Sequence, residues 1–185
     1  MIKKTYYTWH DIEKAVNDIV SQLYKDGWKP DYVVGISRGG LTPAVLFSHL
    51  LDIPMYTLKV SLRDGVEEDC DHNCWMAEDA FGYDMDLENK PANILIVDDI
   101  NDGGSTIAWI KRDWPASCLP NSEHWNDVWG KNVRFATVVN NLASKESVSY
   151  SSIEINKAED NCWIVFPWED WNKPRPRHLL GTVLY

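Results

Sequence analysis

Apolar residues recur along this chain with two alternating periods. Ile12, Ala15, Val16, Ile19, Val20 and Leu23 return at helical spacing, which predicts an amphipathic helix. Thr8 and Asp11, three residues apart, form a capping-box pair at its start, and Gly27 and Pro30 end it. Residues 32–36 are a short apolar run that predicts a strand, broken by Ser37-Arg38-Gly39-Gly40. Thr42-Pro43 then reads as an N-cap with proline at the first helical position, and Val45, Leu46, His49 and Leu50 share one face of that helix. Residues 55–60, 94–97, 133–139 and 163–166 read as further strands, and residues 106–114 as a helix. Strands alternating with helices predict an α/β fold with a doubly wound, mainly parallel sheet. In such sheets ligands bind beyond the carboxyl ends of the strands. The glycine-bearing loops after Ile36 and Val97 emerge at that edge.

The pattern is lost twice. Residues 63–90 are acidic (Glu67, Glu68, Asp69, Asp71, Glu78, Asp79, Asp84, Asp86, Glu88) and have no sustained period. A loop of that length in a compact domain reads as a lid or binding loop. Residues 115–131 form a second irregular, tryptophan-bearing insertion. The 185 residues are otherwise most simply one domain.

Composition narrows the function classes. The formal charge of −10 argues against sequence-independent binding to nucleic acid or anionic membranes. No run approaches the roughly 18 apolar residues of a membrane span, and residues 1–6 lack the apolar core of a secretory signal. The four cysteines therefore read as reduced thiols of a cytoplasmic protein. The ten tryptophans, Trp109, Trp114, Trp125 and Trp129 among them, are expected in the core or at subunit contacts.

The chemistry concentrates in Val97-Asp98-Asp99-Ile100-Asn101-Asp102-Gly103-Gly104-Ser105-Thr106. A strand runs into an acidic turn, then a glycine-hydroxyl loop, then a helix. The backbone N–H groups of Gly103, Gly104, Ser105 and Thr106 are set to point at a phosphate, and the helix N-terminus favours its charge. Carboxylates beside a phosphate need a bound metal or sugar hydroxyls to justify them. The Ser37, Arg38 and Gly39 turn adds a guanidinium and unhindered amides suited to a second phosphate or a pyrophosphate. A sugar phosphate carrying a pyrophosphate, with Mg²⁺, would use all of these groups.

The 97–106 stretch resembles the phosphoribosyl pyrophosphate (PRPP) signature of the type I phosphoribosyltransferases, and in particular the bacterial xanthine-guanine and hypoxanthine enzymes. Tyr7-Thr8-Trp9 at the first helix, Val34-Gly35-Ile36-Ser37-Arg38-Gly39-Gly40-Leu41, and Trp163-Ile164-Val165-Phe166-Pro167-Trp168-Glu169 are similar to further motifs of those enzymes, in the same order. The resemblance implies the family's fold, with a small hood formed by terminal segments, and residues 63–90 as its mobile lid. It implies that Asp98 and Asp99 hold the ribose hydroxyls, Asp99 also touching Mg²⁺. Asp102 would face the purine imidazole edge and manage its proton, and residues 103–106 would bind the 5′-phosphate. Ser37, Arg38 and Gly39 would take the pyrophosphate, across a strained or cis Ser37–Arg38 peptide. Trp163 would stack on the base and the Ile164 backbone would read its exocyclic group. The activity implied is transfer of phosphoribose from PRPP to a guanine-, xanthine- or hypoxanthine-like base in purine salvage, by a homodimer or homotetramer.

The chain departs from the resemblance at several points. Relatives carry a lysine where Asn141 stands, donating to the 6-oxo group of the base. An amide can donate or accept, so a 6-amino or non-standard base is the alternative, as is entry of Lys145 from a shifted loop. Gly103 and Ser105 exchange the usual hydroxyl and glycine, and Ser61-Leu62-Arg63 stands where the lid of relatives has a serine-tyrosine pair. A non-catalytic sensor of PRPP or nucleotide on the same fold is the other alternative; Asp102, which turnover needs, favours an enzyme. Cys70, His72 and Cys74 fit no common zinc spacing. His10, His49, His124 and His178 show no partner in the sequence. Glu169 and Asp170 read as ligands of a second Mg²⁺ or as a solvated turn.

Overall fold

The computed structural model describes residues 3–63, 66–82 and 90–169. Asp84, Asp86 and Glu88 of the expected lid lie outside these residues, as do Asp170 and His178. Strands β2 (Tyr32–Ser37), β3 (Met55–Arg63), β4 (Val66–Cys70), β5 (Ile94–Asn101), β6 (Val133–Asn141) and β7 (Tyr150–Ile155) form one sheet in the order β4-β3-β2-β5-β6-β7. All neighbours are parallel except β3 and β4, which are antiparallel. The strands at the centre are those with unbroken apolar runs, as a sheet covered on both faces demands. Successive residues of β5 alternate between two cores. Ile94 and Ile96 face α3 (Cys74–Phe81), α4 (Ser105–Ser117) and α5 (Trp125–Val128); Leu95 and Val97 face α1 (Trp9–Asp26) and α2 (Leu41–Leu51). The doubly wound α/β expectation is met. A second, two-stranded parallel sheet pairs β1 (Lys3–Tyr6) with β8 (Cys162–Val165), with Thr5 opposite Ile164.

The first helix follows its sequence signals. The Asp11 N–H donates to Thr8 Oγ1 at 3.2 Å, the Thr8 N–H donates to Asp11 Oδ2 at 2.8 Å, and Gly27 caps the far end in the left-handed region. The start of α2 is a correction. The helix begins at Leu41 after Gly40, with no side-chain cap, so Thr42 is not its N-cap. The Gly40 N–H already bonds the Ile36 carbonyl at 2.9 Å and its own carbonyl accepts from the Ala44 N–H at 3.0 Å, which closes the first turn before Thr42. Pro43 falls where a missing N–H costs no helix bond. The core face is Pro43, Ala44 and Phe47, while Val45, His49 and Leu50 are exposed.

Much of the stretch expected to be patternless is ordered: β4 forms a hairpin with β3, and α3 buries Met76, Ala77 and Ala80. These three apolar side chains stand in an eight-residue helix among acids, too few to give a readable period. Likewise α4 runs on through Pro115 to Ser117, and Trp125 and Val128 of the expected 115–131 insertion are buried. Trp129 packs ring to ring with both Trp114 and Trp125, with centroids 5.9 and 5.7 Å apart, as expected of core tryptophans.

His72 ties this ordered stretch to α4. Its Nδ1 lies 2.5 Å from Asp113 Oδ1 and its Nε2 3.2 Å from Glu67 Oε1, while Trp109 Nε1 donates to Glu67 Oε2 at 3.1 Å. Both ring nitrogens thus face carboxylates rather than Cys70 or Cys74. The hydrogen bond and charge of Asp113, with Glu67 adding, raise the His72 pKa above its ordinary 6.5. A histidine whose folded pKa is raised stabilises the fold fully below the unfolded value and loses that contribution as pH rises through the folded value. His72→Gln is therefore expected to lower the melting temperature most below about pH 6.5, with a gap that narrows as pH rises past it. Thermal melts of both proteins from pH 5.5 to 8.5 check this, and a gap independent of pH would contradict it.

Candidate active site

Because β2 and β5 are adjacent and parallel, with Gly35 opposite Val97, their carboxyl ends deliver two loops to one place. The first is the 37–40 turn, where the Ser37–Arg38 peptide is cis and Arg38 is exposed. Gly39 packs against the acidic pair: a Cβ there would lie 2.0 Å from Asp99 Oδ2. The second is the acidic turn and the glycine-hydroxyl loop. Residues 98–107 line a single cleft of about 530 Å³, closed on one side by Ser61 and Leu62 of β3.

Asp98 and Asp99 share a desolvated corner, and the Asp99 N–H donates to Asp98 Oδ1 at 2.9 Å. Burial and the neighbouring Asp99 charge push the Asp98 pKa up. Burial, with the Glu169 charge adding, pushes Asp99 up to about 6. Glu169 is itself held by the Phe166 N–H, which donates to its Oε2 at 3.0 Å. Adjacent desolvated carboxyls are a donor set a divalent cation relieves. No cluster of three or more metal-ligating side chains occurs among the described residues. Mg²⁺ needs none, since it takes one or two carboxylates and completes its shell with water and substrate oxygens.

Beyond the acids, Asn101 is buried and fixes the loop. It donates to Asn140 Oδ1 at 2.9 Å and the Glu146 carbonyl at 2.7 Å, and accepts from Ser144 Oγ at 2.9 Å. The 144–146 segment is thereby held against Gly104, whose φ is 84° and where a Cβ would meet Glu146 and Ser144 Oγ at 2.9 Å. Only glycine fits both the backbone and the space. The helix α4 then starts with no side-chain cap, and its first intrahelical bond is from the Ala108 N–H to the Gly104 carbonyl at 2.9 Å. The N–H groups of Ser105, Thr106 and Ile107 thus precede the first intrahelical donor, at the cleft wall. This is an anion cradle built of backbone.

Asp102 lines the same cleft, and its carboxylate Oδ2 lies 2.8 Å from Lys157 Nζ. Lys157 is a residue the sequence did not point to, since it follows β7, a strand without an apolar run. Asn141 sits beneath, buried, and engages its amide inside the protein. It donates to the Asp102 carbonyl at 2.9 Å, and its Oδ1 accepts from the N–H groups of Ala143 at 3.2 Å and Lys157 at 3.0 Å. Lys145 is exposed on the loop. Trp163 and Ile164 lie on the two-stranded sheet, Trp163 being 58% exposed and Ile164 buried. The Val165 carbonyl accepts from the Tyr7 N–H at 3.0 Å, so strand alternation turns the N–H and C=O of Ile164 to the opposite edge, away from β1.

A parallel sheet with PRPP-signature acids and an uncapped helix start at its carboxyl edge defines a class, and sequence comparison agrees. The chain belongs to the phosphoribosyl transferase domain family, whose model matches residues 3–170. It is similar to the hypoxanthine-guanine phosphoribosyltransferase of Schizosaccharomyces pombe, 24% identical over 90% of this chain and 89% of that one. It is also similar to the xanthine-guanine phosphoribosyltransferase of Roseobacter denitrificans, 28% identical over 90% of this chain and 86% of that one. Its fold is that of a purine phosphoribosyltransferase structure from Pyrococcus horikoshii, with a TM-score of 0.64 at 24% identity, over 94% of this chain and 99% of that one.

Proposed function

We infer that the protein is a purine phosphoribosyltransferase that joins PRPP and a guanine-, xanthine- or hypoxanthine-like base into a nucleoside 5′-monophosphate, releasing pyrophosphate. The observation that carries this is the single cleft in which Asp98, Asp99 and Asp102 lie beside the uncapped start of α4. The backbone N–H groups and hydroxyls of Gly103, Gly104, Ser105 and Thr106 bind the 5′-phosphate. Asp98 and Asp99 accept from the ribose hydroxyls. Ser37, Arg38 and Gly39 hold the pyrophosphate, with Arg38 offsetting its charge as the C1–O bond opens. Asp99 is the residue that would hold Mg²⁺, which supplies further charge neutralisation to the leaving group. Trp163 offers a stacking face, the Ile164 backbone reads an exocyclic group, and Asp102 takes or returns the imidazole proton. Residues 63–90 act as the lid: their β4 strand pairs with β3, whose Ser61 and Leu62 wall the cleft, which supports this reading.

Two supporting observations bear on setting. All four cysteines are free thiols, as the reducing cytoplasm keeps them, and among the described residues no helix is long and apolar enough to cross a membrane. Val45 and Leu50 on α2 are exposed apolar side chains, which contact within a homodimer or homotetramer would cover. The reading is tested by mixing the protein with PRPP, Mg²⁺ and a panel of purines and following pyrophosphate. Release that depends on an oxopurine supports it. PRPP binding without release for any base would make the protein a sensor instead.

A further inference from the structure

Among the ion pairs of this molecule, Lys157–Asp102 stands out by its place. It joins a cleft-lining acid whose side chain is 55% exposed to a lysine 55 positions away whose side chain is only 16% exposed. A mostly buried lysine with a four-carbon stem is costly to order, and this one is positioned from two sides. On one side its own N–H is clamped by Asn141 Oδ1 at 3.0 Å, at the end of β6. On the other, the turn that contains it is closed by the Ala158 N–H on Asn156 Oδ1 at 3.2 Å and by the Glu159 and Asp160 N–H groups on the Asn156 carbonyl, at 3.1 and 3.0 Å. That turn leads directly into β8, the strand carrying Trp163. The ammonium is thus held on the 98–106 loop, by a residue whose turn continues into the strand with the exposed aromatic face.

We propose that Lys157 is the specificity residue of the site: its ammonium donates to an oxo group of the purine, while Asn141 supports it and makes no base contact. This rests on the phosphoribosyltransferase reading and sharpens which base it takes. An ammonium has three donor hydrogens and no acceptor, so with one hydrogen on Asp102 it still has donors for a carbonyl oxygen. An amino group in the same place meets a donor with a donor. Asn141 has no such freedom, since its amide bonds the Asp102 carbonyl and its oxygen takes the Ala143 and Lys157 N–H groups. The chain therefore reads the base with a residue from the β7–β8 turn rather than from the end of β6.

The test measures binding and turnover separately, on the full-length wild type, Lys157→Met and Lys157→Arg. Calorimetry with inosine and adenosine 5′-monophosphates reads the preference without requiring catalysis. Pyrophosphate release with hypoxanthine and adenine reads it in turnover. The wild type is expected to prefer the oxo member of each pair. Lys157→Met is expected to lose roughly 10- to 100-fold for inosine monophosphate and hypoxanthine, as for a hydrogen bond from a charged donor, with adenosine monophosphate affinity and KM for PRPP within about threefold. Lys157→Arg, which keeps the charge and donors, is expected to retain the preference. Equal losses for both nucleotides, no loss, or a wild type that binds neither would overturn the proposal. A wild type that shows the nucleotide preference and its loss in Lys157→Met, yet releases no pyrophosphate with any base, upholds Lys157 as base reader and overturns only the transferase reading.

Discussion

Asp102→Asn is expected to lower kcat by about 10²- to 10⁴-fold, the usual contribution of a positioned proton donor or acceptor, with KM for PRPP and the melting temperature close to wild type. The substitution is nearly isosteric, and the contact that fixes the loop, from Asn141 Nδ2 to the Asp102 carbonyl, is made by the backbone and survives it. What is lost is the carboxylate oxygen 2.8 Å from Lys157 Nζ, the group able to accept a proton at the cleft lining. The side chain is 55% exposed, so little packing is disturbed. Steady-state rates with the preferred base, together with PRPP titration and a thermal melt, separate the effects. Full activity in the variant would remove Asp102 from the chemistry.

The second large effect comes from adding one carbon to either of two neighbouring glycines. At Gly40 a Cβ would lie 2.3 Å from the Val97 carbonyl oxygen and 2.9 Å from both Asp98 Cα and the Ile36 carbonyl oxygen. All three are backbone atoms of the two central strands and the turn after them, so nothing can rotate away. Gly40→Ala is expected to cost about 1–3 kcal/mol of stability or more, in line with overpacked sites, and to abolish turnover by parting the two loops. At Gly39 the nearest atoms to the intruding Cβ are those of the Asp99 carboxylate, at 2.0 Å to Oδ2 and 2.4 Å to Cγ. A side chain can swing aside, so Gly39→Ala is expected to fold nearly as well as wild type while losing PRPP and Mg²⁺ affinity at least tenfold. Denaturant melts and PRPP titrations on the pair check the contrast. Similar stability losses in both would contradict it.

What the sequence disclosed and withheld follows from where burial falls. β2, β5 and β6 carry continuous apolar runs because both faces are covered, and those runs are visible without a structure. β4 is exposed along most of its length and β7 is only half-buried, so neither presents a run or a clean alternation. The helix α2 starts two residues earlier than the Thr42-Pro43 signal sets it, because the closure of the Gly40 turn overrides that local rule. In the site, the 98–106 loop was readable because its parts are contiguous: strand, acids, glycines and helix start. Lys157 was not, since its approach to Asp102 depends on β7 pairing with β6, so that Asn141 stands opposite Ile155 two residues before it. The resemblance sets Asn141 where relatives carry a base-contacting lysine, and only the hydrogen bonds reveal that its amide is engaged with Asp102, Ala143 and Lys157.

The two-stranded sheet has a consequence for the order in which the enzyme acquires its competence. Strands β2, β3, β5 and β6 and the start of α4 come from residues 32–141 and carry the lining of the cleft, which runs from Ile36 to Thr137. The strand bearing Trp163 has its partner at the opposite end of the chain: Lys3 stands beside Cys162, and Lys3 Nζ meets Asp160 across 157 positions. Closing so long a span is the slowest kind of contact to form. During synthesis the cleft lining is made before β8, so the β1–β8 pair must await residues 162–165. In order of synthesis, the loops proposed to hold the sugar phosphate thus precede the strand proposed to hold the base.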